Sequence, residues 1–359
     1  MYTEFYKLAK KPFNMTPDPG YLFLTNQYRE ALAGLSYAIV ERKGFLVLSG
    51  MAGCGKTTLL AWVLGRLPCQ QVQSSVILNP VLKPEEFLEM VMLDFGITDI
   101  PESKARRIWM LQNFLVQGDR EGKINVLIID EAHKLSVELL EEIRLLGNLE
   151  HGTDKLLQIL LVGQPELEDL INRQELLQFK QRINVHLGLQ VLSAEEVEQY
   201  IQHRWKVAGG SLPAPFAAEA LAAVAKRSTG IPRLVNSLCD NALVLAFSEQ
   251  AATVRSEHVE AAAQDLRLVP KEPAPVMMKA QPAPVAVVPP AAPVPAPPLT
   301  KGSAVAMQPV SLKNEEILTA ITIAPEYEKK SLLERWVSLF GFGRNGKNRM
   351  EPRGDMDLR

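Results

Sequence analysis

The chain has 359 residues, of which 47% are apolar and 22% charged, and its formal net charge is −2. That length allows about two domains and a tail. The near-neutral balance excludes a generally basic nucleic-acid binder, though it leaves room for a local basic patch. The three cysteines, Cys54, Cys69 and Cys239, form no CxxC or Cys/His cluster, which argues against a zinc site or a disulfide framework and fits a reducing compartment.

Residues 1–11 lack the apolar stretch of a signal peptide, and no proline-free apolar run reaches membrane-spanning length, so a cytoplasmic protein is expected. The first strand signal is the apolar run 44–49, which ends in glycine. Runs 75–79, 124–129 and 156–162 are similar, and 184–189 is a weaker fifth. Continuous apolar runs of this length suit strands buried on both faces of a parallel sheet. Between them, residues 84–95, 102–117 and 135–149 carry apolar residues at helical spacing. Strands alternating with helices predict an α/β fold with helices flanking a parallel sheet.

After Leu192 the pattern is purely helical. Ser193 and Glu196 form a capping box, and helices are expected over 215–226, 232–249 and 256–266. Residues 270–298 hold 11 of the 25 prolines and read as an extended linker. The expected organisation is therefore a nucleotide-binding α/β domain over 1–192, a helical lid over 193–269, a linker over 270–298 and a basic, poorly ordered tail over 299–359. In the tail, Leu332, Leu333, Trp336, Val337, Leu339 and Phe340 are flanked by Lys329, Lys330, Arg335, Arg344, Lys347, Arg349 and Arg353. Such a segment, 329–353, suits an anionic membrane surface or a partner groove; a tail folding back on the rest is the plainer reading.

The chemistry is carried by two motifs. Gly50-Met51-Ala52-Gly53-Cys54-Gly55-Lys56-Thr57 matches G-x-x-x-x-G-K-[ST], follows a predicted strand and precedes a helical run over 58–67. Its backbone N–H groups are expected to wrap a β-phosphate, with Thr58 continuing the helix N-terminus. Lys56 is expected to reach the β- and γ-phosphates of ATP, and Thr57 to ligate Mg²⁺. Cys54 reads as a small residue that fits the tight loop. The second motif is the strand 124–129 followed by Asp130 and Glu131. Asp130 is expected to hold Mg²⁺, and Glu131 to polarise the attacking water as a general base. Asp130 to His133 also spells DEAH, but the other marks of that helicase class are missing, and His133 reads as a polar residue at a helix start.

With these residues in place the chain resembles the AAA+ ATPases of the general secretion pathway A (ExeA-like) family, especially variants of exopolysaccharide and exosortase loci. The resemblance is carried by Tyr2, Phe5 to Leu8, Pro12-Phe13, Thr16 to Pro19, Arg29 to Leu32, the phosphate loop, Asn79-Pro80 and Asp130 to His133, and continues through Gly163 to Leu167, Gln181 to Ile183 and Gly230 to Arg233. It implies further roles. Gln164 stands where a sensor of the γ-phosphate is expected, or is a loop residue before Pro165. Arg182 stands where an arginine finger acts on a neighbouring subunit's ATP, or is a surface arginine. Arg233 resembles a second sensor that couples the lid to the nucleotide in cis. Asn79 stands where some relatives hold the catalytic glutamate inactive, or is a turn residue before Pro80. Phe13, Tyr21 and Phe23 either contact adenine or pack the N-terminal arm.

The resemblance also implies a homo-oligomer with shared ATP sites that serves an envelope secretion or polysaccharide-export assembly, peripheral to the inner membrane. The fullest members add a transmembrane helix and a peptidoglycan-binding domain, for which 299–359 offers no counterpart. Two other readings stand beside this one: a DNA-linked ATPase of the transposition or origin-recognition type, and a nucleotide-dependent scaffold with little turnover. Residues 1–300 carry a net charge of −4, which weighs against the first. The joint presence of Lys56, Asp130 and Glu131 weighs against the second.

Overall fold

The computed structural model describes residues 2–16, 18–66, 72–152 and 154–268. The linker over 270–298 and the tail over 299–359, with the segment 329–353, lie outside the described residues, as do Leu67 and Cys69.

In chain order the elements are α1 (Tyr2–Phe5), α2 (Asn26–Val40), β1 (Phe45–Gly50), α3 (Lys56–Leu64), β2 (Val72–Ile77), α4 (Pro84–Asp94), α5 (Lys104–Arg120) and β3 (Ile124–Ile129). There follow α6 (Val137–Leu146), a two-residue hairpin of β4 (Glu150–His151) and β5 (Asp154–Lys155), β6 (Leu157–Gly163), α7 (Glu166–Ile171), α8 (Leu177–Lys180) and β7 (Ile183–Leu189). The helical part is α9 (Ala194–Val207), α10 (Ala218–Ser228), α11 (Pro232–Ser248) and α12 (Ser256–Asp265).

Five strands form one parallel sheet in the order β2-β3-β6-β1-β7. Each central strand feeds both faces. Phe45, Val47, Leu127, Ile129, Ile159 and Leu161 face a core shared with α4, α5 and α6. Leu46, Leu48, Val126, Ile128, Leu160 and Val162 face a second core with α2 and α3. Residues alternate between faces because successive side chains in a strand point opposite ways. β7 is the exception. It is an edge strand, and residues 183–188 alternate between half-buried and exposed, which is why its apolar signal is the weakest of the five.

The third core belongs to α9–α12. It also takes in Tyr2 and Phe13, so the N-terminal arm is part of the helical region's interior. Ser193 caps α9 by accepting from the backbone N–H of Glu196, while the Glu196 carboxylate accepts from the Ser193 N–H at 2.9 Å. The joint between sheet and helical region lies at Leu192, whose backbone N–H donates to the Gly230 carbonyl at 2.9 Å. Gly230 has φ 75°, and a Cβ there would lie 2.0 Å from the Leu192 carbonyl oxygen, so only glycine fits.

Candidate functional site: the cleft at the carboxyl ends of the strands

The order β3-β6-β1 lines up three strand ends side by side. Asp130 leaves β3, Gln164 leaves β6 and the glycine loop leaves β1. Ligands of open parallel sheets sit outside such carboxyl ends. An open cleft lies there, bounded by Gly53, Gly55, Lys56, Thr57, Thr58, Asp130 and Glu131 from the sheet side. Arg233 and Asn236 of α11 and Tyr200 and Arg204 of α9 face it from the helical side, and Tyr21 and Phe23 of the arm complete it.

The loop is shaped by its glycines. Gly53 has φ 83° and Gly55 φ 87°, conformations that an L side chain resists. A Cβ at Gly53 would lie 2.8 Å from the Arg233 Cβ, so the start of α11 rests directly on the loop. The Arg233 N–H donates to the Gly53 carbonyl at 3.3 Å, and the Tyr28 hydroxyl donates to the Cys54 carbonyl. Cys54 itself is fully buried, and burial pushes its thiol up, away from the reactive thiolate.

Lys56 is buried and donates to the carbonyls of Gly50 at 2.7 Å and Met51 at 3.1 Å. Burial depresses its pKa, against the opposing pull of nearby Cys54, Asp130 and Glu131. Thr57 Oγ1 donates to Asp130 Oδ2 at 3.5 Å. Burial pushes the Asp130 carboxyl up, and the charge of Glu131 adds to it, against the Glu131 N–H that donates to Asp130 Oδ1 at 2.8 Å. A hydroxyl and a partly buried carboxylate facing each other are a hard-oxygen donor set suited to Mg²⁺. The added positive charge would relieve the strain of a carboxylate kept in a low-dielectric corner. The residues present therefore fit the cation.

Glu131 has φ 54°, a left-handed conformation that is uncommon for a residue with a side chain and that clusters at functional sites. Its carboxylate lies 3.1 Å from Lys134 Nζ and 3.6 Å from His133 Nε2. His133 sits in a 3₁₀ turn, Ala132–Lys134, as its helix-start reading implied, but its ring is engaged with Gln164. The residues from the phosphate loop, Asp130, Glu131 and Arg233 converge on one cleft. Arg182 does not line it: its guanidinium donates to Asn148 instead. Asn79 is exposed beyond β2, does not line the cleft, and makes no hydrogen bond to Glu131 among the described residues.

Of the three aromatics, Phe13 is fully buried in the helical core, whereas Tyr21 and Phe23 line the cleft. Sequence reasoning missed Arg204. It is buried, lies 4.5 Å over the Tyr21 ring, and donates to the Pro12 carbonyl at 2.7 Å and the Tyr200 hydroxyl at 3.1 Å. Its backbone partners, Pro12 and Asn14, are some 190 positions away in sequence, and no local pattern marks it.

Comparisons with known proteins agree with this fold. The AAA domain family matches residues 40–171. General secretion pathway protein A of Aeromonas hydrophila is 36% identical over 267 residues, which is 74% of this chain and 48% of that protein. The chain thus spans about half the length of this relative. In fold, it is similar to the ORC2 protein of Aeropyrum pernix in ADPNP–ADP complexes, with a TM-score of 0.54 and 17% identity over 72% of each chain. Drosophila ORC bound to DNA gives a TM-score of 0.52 and 17% identity, covering 72% of this chain and 67% of that one.

Proposed function

The chain carries an ExeA-like AAA+ module, and on that premise we propose that it binds ATP with Mg²⁺ and hydrolyses it to drive a change in an envelope secretion or polysaccharide-export assembly. One observation carries the reading: Lys56, Thr57 and Asp130 meet at the ends of adjacent elements, with Thr57 Oγ1 3.5 Å from Asp130 Oδ2.

In this reading the N–H groups of 50–58 cradle the phosphates. Lys56 gives up its two carbonyl partners for the β- and γ-phosphate oxygens. Thr57 and Asp130 hold Mg²⁺, which supplies positive charge against the charge building on the phosphate oxygens. Glu131 leaves Lys134, orients a water and takes its proton as the new P–O bond forms and the bond to the β-phosphate breaks. Gln164 reads the γ-phosphate from β6. Arg233 reaches it from α11, so the helical lid over 193–269 moves against the α/β domain over 1–192 as the nucleotide changes. Arg182, turned away from its own cleft, serves the ATP of a neighbouring subunit and makes the working form a homo-oligomer. Asn79, at the end of β2, holds Glu131 inactive until a partner binds.

No helix among the described residues is long and apolar enough to cross a membrane. Peripheral attachment at the inner membrane through 329–353 belongs to the same proposal; truncation at Leu299 then releases the protein from membranes, and unchanged fractionation rejects the attachment. The test of the activity is steady-state ATP hydrolysis with and without Mg²⁺, with Glu131→Gln as control. Turnover that needs Mg²⁺ and is lost in the variant supports the reading. Stimulation by duplex DNA rather than by anionic liposomes points instead to the DNA-linked alternative.

A further inference from the structure

His133 has no part in the mechanism proposed above, yet its ring contacts Gln164, which does. The Gln164 backbone N–H donates to His133 Nδ1 at 3.4 Å. The other ring nitrogen, Nε2, lies 3.3 Å from the Gln164 side-chain amide nitrogen and 3.6 Å from Glu131 Oε2. The contact is built into the backbone, because Gly163 lets the 132–134 turn press against the end of β6. A Cβ on Gly163 would lie 3.3 Å from the His133 backbone nitrogen and 2.9 Å from a methyl of Leu167.

The hydrogen count in this contact is decisive. A ring nitrogen that accepts a hydrogen bond carries no hydrogen, so His133 has its hydrogen on Nε2. That hydrogen faces the Gln164 amide, and two N–H groups cannot share one hydrogen bond. The amide oxygen and nitrogen have nearly the same shape and are told apart by their partners. The oxygen is therefore the group that belongs against Nε2, and the Gln164 NH₂ turns outward as a free double donor.

We propose that His133 is a positioning residue that fixes the Gln164 amide, with its oxygen bound to His133 Nε2–H, so that the Gln164 NH₂ is presented as a ready donor to the anionic terminal phosphate. This rests on the ATPase reading above and deepens it. The Glu131 carboxylate lies 3.6 Å from Nε2, beyond hydrogen-bond reach, so the ring acts through Gln164. A donor held in place before the charge develops needs no reorganisation at the moment of reaction.

The experiment compares wild type, His133→Ala, Gln164→Ala and the double variant in steady-state hydrolysis of MgATP, with nucleotide affinity and thermal unfolding measured alongside. Each single variant is expected to lose turnover by about 100- to 1,000-fold, the range for one preorganised donor. ATP affinity should stay within about 2-fold, since the loss falls on the transition state. The double variant should be no slower than Gln164→Ala, because the histidine acts only through the glutamine. Gln164→Glu keeps an acceptor for Nε2–H but offers no NH₂, and should lose turnover like Gln164→Ala. Independent, multiplying losses in the double variant, or a His133→Ala enzyme of normal turnover, would overturn the proposal.

A second measurement does not need activity. Nitrogen-15 NMR of histidine-labelled full-length protein, with the five histidines assigned by substitution, should find His133 protonated at Nε2 and bare at Nδ1. A hydrogen on Nδ1 overturns the proposal even if ATP is hydrolysed. If the wild type shows no turnover under any condition, the ATPase reading fails on its own, and the ring tautomer still decides the His133 contact.

Discussion

The two walls of the cleft are built by different means. The sheet wall is made of short contiguous segments: residues 50–58 close one loop, and Asp130 and Glu131 close one strand. The helical wall is assembled from pieces that are remote in sequence. Arg204 in α9 binds the carbonyls of Pro12 and Asn14, Tyr200 donates to Asn236 of α11, and the Tyr2 hydroxyl donates to Asp240. The first wall holds charge chemistry that any backbone of the right shape would repeat. The second holds the N-terminal arm onto the lid, so that lid and arm form one body across the cleft from the sheet.

The comparison is broken most sharply by removing a charge from the sheet wall. Lys56→Ala should weaken ATP binding by about 100-fold, on the order of 3 kcal/mol, with thermal stability preserved. The second half follows because the buried ammonium is held below its usual pKa, so its loss removes a desolvated charge. Fluorescent-nucleotide titration beside a melting curve checks both halves, and a fall in melting temperature without a fall in affinity would reverse the assignment of roles.

Arg204→Ala tests the other wall and should do the opposite. It strips partners from the Pro12 carbonyl and the Tyr200 hydroxyl, at a cost of about 2–4 kcal/mol in stability. The arm around 12–25 should become open to limited proteolysis. Arg204→Lys should not restore it, because an ammonium cannot span the same forked set of acceptors. An arm that stays protected in both variants would show that the apolar contacts of Phe13 hold it alone.

Tyr2→Phe is a smaller cut at the same wall. It removes the hydroxyl that donates to Asp240 and keeps the buried ring, so denaturant unfolding should register about 1 kcal/mol. Nucleotide affinity should not change.

The pH behaviour of Asp130 sharpens the contrast with the least effect. Burial, with Glu131 adding to it, raises its folded pKa. A carboxyl raised in the folded state favours folding below its unfolded value of about 3.9, and that contribution is lost as pH rises through the folded value. At neutral pH the ionised group is therefore a burden on the nucleotide-free protein. Asp130→Asn should raise the melting temperature at pH 7, lose that advantage in acid and abolish any stabilisation by Mg²⁺ with ATP. A variant less stable than wild type at pH 7 would mean that the Thr57 contact outweighs burial.

What was legible in the sequence follows the same division. The three inner strands, β1, β3 and β6, were legible because strands buried on both faces read as largely unbroken apolar runs, and the P-loop and acid pair because their spacing is local. β7 was faint because its outer face meets solvent. Helix α2 went unread as an element although Arg29 to Leu32 were noted, because its apolar face alternates with polar residues before a strand that draws attention first. Arg204 was invisible because the Pro12 carbonyl it binds lies 192 positions away. His133 was legible as a letter and not as a contact, since its partner Gln164 is set by the pairing of β3 with β6.

The central claim is that the sheet wall performs phosphate chemistry. It is tested most directly by ATP hydrolysis of the full chain across a range of protein concentrations, with Glu131→Gln measured at every point. The account predicts Mg²⁺-dependent turnover that rises more steeply than protein concentration, as sites shared between subunits require, and that is lost in the variant while ATP still binds. Turnover equal in wild type and Glu131→Gln would contradict it.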